Sequence, residues 1–147
     1  MRITTKGRYA LRATLALAQL GKDGEMVSIN SLSQAEQISS VFLEQIFFKL
    51  KKAGIVKSVR GPGGGFSFSR PLDSFTVYEI LEAAGEELTV LPCDRNDKNC
   101  GRESECIAHK MLVAVTNVAN DYMRSVTLKT LLESDEFKPR LLKEKGK

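Results

Sequence analysis

The chain contains no tryptophan, only one histidine, only three cysteines and only four prolines among 147 residues. It also lacks any apolar run near the ~18 residues that a membrane span requires. Met1-Arg2-Ile3-Thr4-Thr5-Lys6 has none of the apolar stretch that opens a secretory signal. These absences argue against a membrane protein and a disulfide-stapled secreted domain, so a cytoplasmic protein without membrane partners is expected. Thiols stay reduced there, and clustered cysteines then point to metal or redox chemistry. Three is also an odd number, which leaves one thiol unpaired in any single-disulfide scheme.

What little cysteine and histidine there is sits together. Cys93, Cys100, Cys106 and His109 form the run C-x6-C-x5-C-x2-H. Thiolates and a neutral imidazole are soft to borderline metal ligands. Four on one segment can hold zinc or one end of an iron–sulfur cluster. Zinc sites usually pair cysteines two to four residues apart, and the wider gaps here better suit wrapping a larger iron–sulfur core. Zinc stays open as the alternative. Cys106 and His109 fall one turn apart at the start of a long helical stretch, on one face. Arg95, Lys98 and Arg102 read as solvated loop residues. A cysteine nucleophile working with His109 would need an oxyanion hole or a pocket. No such signal accompanies it, so the chain reads as something other than an enzyme.

Charge is uneven. Residues 1–75 hold 11 Lys and Arg against 5 Asp and Glu, whereas residues 76–147 hold 11 against 13. A basic first half suits an anionic partner such as nucleic acid.

The pattern along the chain is mainly α with a small β-wing. Thr5 to Leu20 reads as a helix with a broad apolar side, ended by Gly21. Met26-Val27-Ser28-Ile29 is expected as a short strand. Ser31 and Gln34 resemble a capping box that opens a short helix through Gln37. A third helix spans about Val41 to Ala53, with Leu43, Ile46, Phe47 and Leu50 as its buried stripe. Phe48, near the polar side, is assigned to the core in preference to a thymine methyl. Two short helices with a tight turn match a helix-turn-helix. Ile55–Val59 and Phe66–Ser69 read as strands flanking Arg60-Gly61-Pro62-Gly63-Gly64-Gly65, the layout of a wing. Thr76 and Glu79 form another capping box for a helix through Ala84. Ile107 to Ser125 is the most helical stretch. Its stripe of Met111, Leu112, Val115, Val118, Ala119, Tyr122 and Val126 could pack against its own copy. Thr127 caps a last short helix.

The polar side of the third helix carries the candidate base readers Ser40, Glu44 and Gln45, with Lys49 beside them. A carboxylate at Glu44 can accept from a cytosine amino group and is repelled by phosphate. The Gly-rich loop has no Gly-Lys-Ser/Thr ending, which argues against a nucleotide-binding loop. Its residues Gly61, Pro62, Gly63 and Gly64 would let a DNA backbone approach, and Arg60 could enter a narrow minor groove.

Several of these segments resemble one family. Met1 to Ala10 (MRITTKGRYA) is similar to its opening. Phe42-Leu43-Glu44-Gln45-Ile46 with Leu50 is similar to its recognition helix. Val59-Arg60-Gly61-Pro62-Gly63-Gly64-Gly65-Phe66 is similar to its wing, and Cys93, Cys100, Cys106 and His109 to its sensor loop. The family is the winged-helix iron–sulfur transcription regulators typified by IscR and NsrR. The resemblance implies a homodimer with crossed long helices, one cluster per subunit, and binding to palindromic double-stranded promoter DNA. It is closest to the IscR branch, where three Cys and one His hold a 2Fe–2S cluster. The NsrR branch instead takes a carboxylate near the partner's N-terminus for its 4Fe–4S cluster. The matching position here is Arg8, which cannot ligate, and Arg12 is no better. The first gap of six residues, against five in IscR, leaves a 4Fe–4S cluster open. A cluster-free regulator, controlled by cysteine oxidation or by a partner protein, is the alternative. The expected division is a winged helix-turn-helix over 1–85, a cluster loop over 86–106, a dimerisation helix with a short C-terminal helix over 107–135, and a mobile basic tail over 136–147.

Overall fold

The computed structural model describes residues 1–91, 101–102 and 104–136. Cys93, Cys100, Arg95, Lys98 and the tail from residue 137 lie outside the described residues.

Helix α1 (Thr5–Leu20) forms the floor of the core. Ala10, Ala13 and Ala16 lie on its buried side, and their small side chains let the other helices approach closely. Gly21 closes it by donating its N–H to Leu17 at 2.9 Å. Helix α2 (Ile29–Glu36) starts earlier than the sequence suggested. Its cap is Ser28, whose Oγ accepts from the Ser31 N–H, so Ser31 lies inside the helix rather than capping it. The early start also removes the strand expected over Met26–Ile29. Only Val27 remains extended, exchanging two backbone hydrogen bonds with Phe66 at 2.9 and 2.8 Å.

Gln37 turns the chain in a left-handed conformation, φ 55°. Helix α3 (Ser40–Lys52) follows, capped by Ser39. Leu43, Ile46, Phe47 and Leu50 are wholly buried, as their spacing required. Phe48 is not in the core. It is 68% exposed, because its neighbours on the ridge already fill the space beneath α3.

Strands β1 (Val56–Val59) and β2 (Gly65–Phe68) pair antiparallel, with Val59 opposite Gly65. Helix α4 (Val77–Ala83) has the expected reciprocal cap: Thr76 Oγ1 accepts from Glu79 N–H, and the Glu79 carboxylate accepts from Thr76 N–H. Helix α5 (Ile107–Ser125) is nineteen residues long, and α6 (Leu128–Glu133) is capped by Thr127. The chain leaving α5 returns to the winged unit. Val77 N–H donates to Val126 O at 2.9 Å and Leu128 N–H to Phe75 O at 3.0 Å. Leu128 is wholly buried in the common core. The C-terminal end of α5 is thereby anchored to the winged unit. Among the described residues no helix is long and apolar enough to cross a membrane.

Candidate functional site

The exposed side of α3 carries Val41, Glu44, Gln45 and Phe48, with Ser40 half-buried at its first turn. Lys49, Lys51 and Lys52 occupy its last turn. Lys51 Nζ donates to Ser58 Oγ at 2.7 Å, which ties the helix to β1. The wing rises beside this face. Arg60, Gly61, Pro62 and Gly63 are all exposed at its tip. Two wing glycines are required by the chain itself. A Cβ on Gly64 would lie 2.2 Å from Val59 O, and one on Gly65 would lie 2.4 Å from Val27 O. Gly61 and Gly63 have open space around them, which is what a tip approaching another backbone needs. The sequence-derived base readers and the wing are thus brought onto one surface.

Lys49 also meets Lys6. Both ammonium groups lie 3.3 Å from the point where a Gly85 Cβ would stand. The Lys6 charge, and then partial burial, push the Lys49 pKa down. Two cations held together gain from an anion such as a phosphate.

The second site lies at the N-terminus of α5. Cys106 is its cap, with Sγ accepting from the His109 N–H at 3.4 Å. A turn precedes it, in which Arg102 O accepts from Cys106 N–H at 2.8 Å. His109 Nδ1 is buried and has no hydrogen-bond partner among the described residues. A buried ring nitrogen without a partner is costly, and a metal ion or cluster can satisfy it. The helix N-terminus favours negative charge, as a thiolate-ligated group carries. Cys106 and His109 therefore fit a cluster. Among the described residues no three His, Cys, Asp or Glu side chains converge as a metal site, and Cys93 and Cys100 are outside them.

A link between these sites was not legible in the sequence. Glu86, at the end of the winged unit, is buried with its carboxylate over the start of α1. It accepts from Gly7 N–H at 2.8 Å, from Thr4 N–H at 3.2 Å and from the Thr4 hydroxyl. The following strap lies against α5 at Thr116 and Asn120. Val90 N–H donates to Thr116 Oγ1 at 3.1 Å, and Asn120 Nδ2 donates to Leu88 O at 2.9 Å. The path from His109 to α1 thus runs through α5, the strap 88–90 and Glu86. Within the sequence, Glu86-Glu87 is only a pair of acids, with nothing to mark which one turns inward.

Burial alone would raise the Glu86 pKa. The Thr4 hydroxyl, the backbone N–H groups of Thr4 and Gly7, and the Lys6 charge outweigh it and hold the carboxyl below its ordinary value of 4.5. A depressed carboxyl pKa stabilises the fold above the unfolded-state value and loses that stabilisation as pH falls through the folded-state value. Thermal melts should therefore fall off below about pH 4.5, and Glu86→Gln should flatten that acid limb. An acid limb unchanged by Glu86→Gln would assign the loss to other carboxyls.

The family profile of Rrf2, iron-dependent transcriptional regulator, matches residues 3–134. A candidate HTH-type transcriptional regulator of Neisseria meningitidis is 38% identical over 133 residues, covering 90% of this chain and 88% of that one. Among solved structures, T. potens IscR has a TM-score of 0.71 at 28% identity, over 90% of this chain and 86% of that one. CymR, the global cysteine regulator of B. subtilis, has a TM-score of 0.71 at 27% identity, over 89% and 95%.

Proposed function

Because the chain belongs to the Rrf2 family of iron-dependent transcriptional regulators, we propose that it is a homodimeric promoter-binding regulator governed by an iron–sulfur cluster held by Cys93, Cys100, Cys106 and His109. It is a transcription regulator and not an enzyme. The observation that carries the cluster reading is the buried Nδ1 of His109, one turn from Cys106 and without a partner among the described residues. When bound, the cluster supplies a site that iron supply, oxidants or nitric oxide can alter. Cys106 and His109 would tie the first turn of α5 to the cluster. Thr116 and Asn120 pass the position of α5 to the strap, and Glu86 passes it to α1. A change at the α5 N-terminus thereby biases the placement of two winged heads, which must meet half-sites about 34 Å apart.

DNA is read by Ser40, Glu44 and Gln45 in the major groove, with Lys49 on phosphate and Arg60 to Gly64 at the minor groove. Dimerisation is supported by the outward face of α5, where Ile107, Met111, Val115, Val118 and Tyr122 are all exposed. That area is apolar and has the spacing of a coiled-coil seam.

Anaerobic purification with quantitation of iron, sulfide and zinc per chain tests the reading. Iron and sulfide in equal amounts, about two of each per chain, with a spectrum altered by His109→Ala, would support a 2Fe–2S site. About four of each would keep the cluster and change its nuclearity. A colourless protein that resists reconstitution would sink the cluster reading. The likeness to CymR favours the second reading in that case: a cluster-free regulator controlled by cysteine oxidation or by a partner protein.

A further inference from the structure

We propose that Val41 and Phe48 are a pair of thymine-methyl readers flanking Glu44 and Gln45, so that each half-site carries two thymines about three base steps apart. The inference rests on the DNA-binding reading above and specifies what that surface recognises.

Leu43, Ile46, Phe47 and Leu50 form the wholly buried ridge of α3. The opposite ridge is then Val41, Glu44, Gln45 and Phe48, at i, i+3, i+4 and i+7. Two of its four side chains are large and apolar, 64% and 68% exposed. Their exposure is not a packing shortfall, since the ridge beneath is complete. In a solvated helix such residues bring no gain, and the polar neighbours do not shield them.

Thymine's C5-methyl is the apolar feature of a major groove, and apolar side chains read it by contact. At 1.5 Å rise per residue, Val41 and Phe48 stand roughly 10 Å apart along α3, which matches about three base steps. Glu44 and Gln45 fall between them, where cytosine and adenine edges would be read. Phe48 also borders a groove of about 440 Å³ between α3 and the wing, with Glu44, Lys51, Ser58, Val59 and Arg60. Lys51 and Arg60 line this groove against one carboxylate, Glu44. Such a cationic rim suits the polyanionic duplex.

The test starts by selecting duplexes from a random library with the full-length protein under anaerobic conditions. Each thymine of a selected duplex is then replaced in turn by uracil, which removes only the methyl. Two replacements per half-site, about three base steps apart, should each weaken wild-type binding about fourfold. Phe48→Ala should bind the thymine duplex more weakly and become indifferent to uracil at one of those positions, and Val41→Ala at the other. Indifference of the wild-type protein to every replacement would overturn the proposal. So would variants that keep the full uracil penalty at both positions. If no duplex is enriched, the DNA-binding reading itself falls, and the methyl-reading pair with it.

Discussion

Val118→Asp is expected to turn the protein into a monomer and to weaken binding to a two-half-site promoter by about 100-fold or more. Val118 is 71% exposed, so the substitution removes nothing from the subunit core. The inward side of α5 presents Thr116 and Asn120, both buried and hydrogen-bonded to the strap. Its outward side presents Met111, Val115, Val118 and Tyr122 at alternating spacings of four and three. That is the spacing of the a and d positions of a heptad seam, and Val118 lies in their middle. In the proposed dimer an aspartate there would be buried against its symmetry mate, at a cost the seam cannot offset. A monomer engages one half-site and loses the effective concentration that links the second to the first. Light scattering after size-exclusion chromatography reads the mass, and titrations against palindromic and single-half-site duplexes read the affinity. A variant that stays dimeric with an unchanged melting temperature would place the dimer contact elsewhere.

Gly7→Ala is expected to destabilise the protein by about 2 kcal/mol, lowering the melting temperature by about 4–8 °C. Elsewhere in a helix this exchange ordinarily stabilises by up to about 1 kcal/mol. The sign reverses because a Cβ on Gly7 would stand 2.6 Å from Glu86 Oε1 and 2.7 Å from its Cγ. The glutamate is flexible enough to move, but moving strands the Gly7 and Thr4 N–H groups and the Thr4 hydroxyl. Hydrogen bonds to a charged acceptor each contribute about 1.5–3 kcal/mol. A double-mutant cycle separates this from a simple backbone effect. In a Glu86→Ala background, Gly7→Ala should be neutral or stabilising. An equal loss in both backgrounds would clear Glu86 of responsibility.

Much of the secondary structure was legible because its causes are local. The bounds of α1 and α5 follow from apolar periodicity and stop signals, and the Thr76–Glu79 capping box from its four-residue pattern. The start of α2 was misread because Ser28 and Ser31 are both competent caps, three residues apart, and their side chains hydrogen-bond each other at 3.0 Å. Only the bridge from Val27 to Phe66 selects the first, since it ends the extended chain at that point. The surface role of Phe48 was equally hidden. An apolar residue next to an apolar stripe looks like core until the ridge beneath is seen to be full.

The proposed cluster ligands and DNA-reading face depend on residue type and spacing, so the sequence by itself determined the candidates Cys106 and His109 and the candidate reading face of α3. It could not determine that His109 Nδ1 is buried without a partner among the described residues, or that Thr116 and Asn120 of α5 face inward. Nor could it reveal that Glu86, and not Glu87, reaches back across the fold to Thr4 and Gly7. Those facts depend on which surfaces meet at long range. The tertiary structure decided them because a buried polar group is stable only where a distant partner satisfies it, and periodicity along the chain carries no record of that partner.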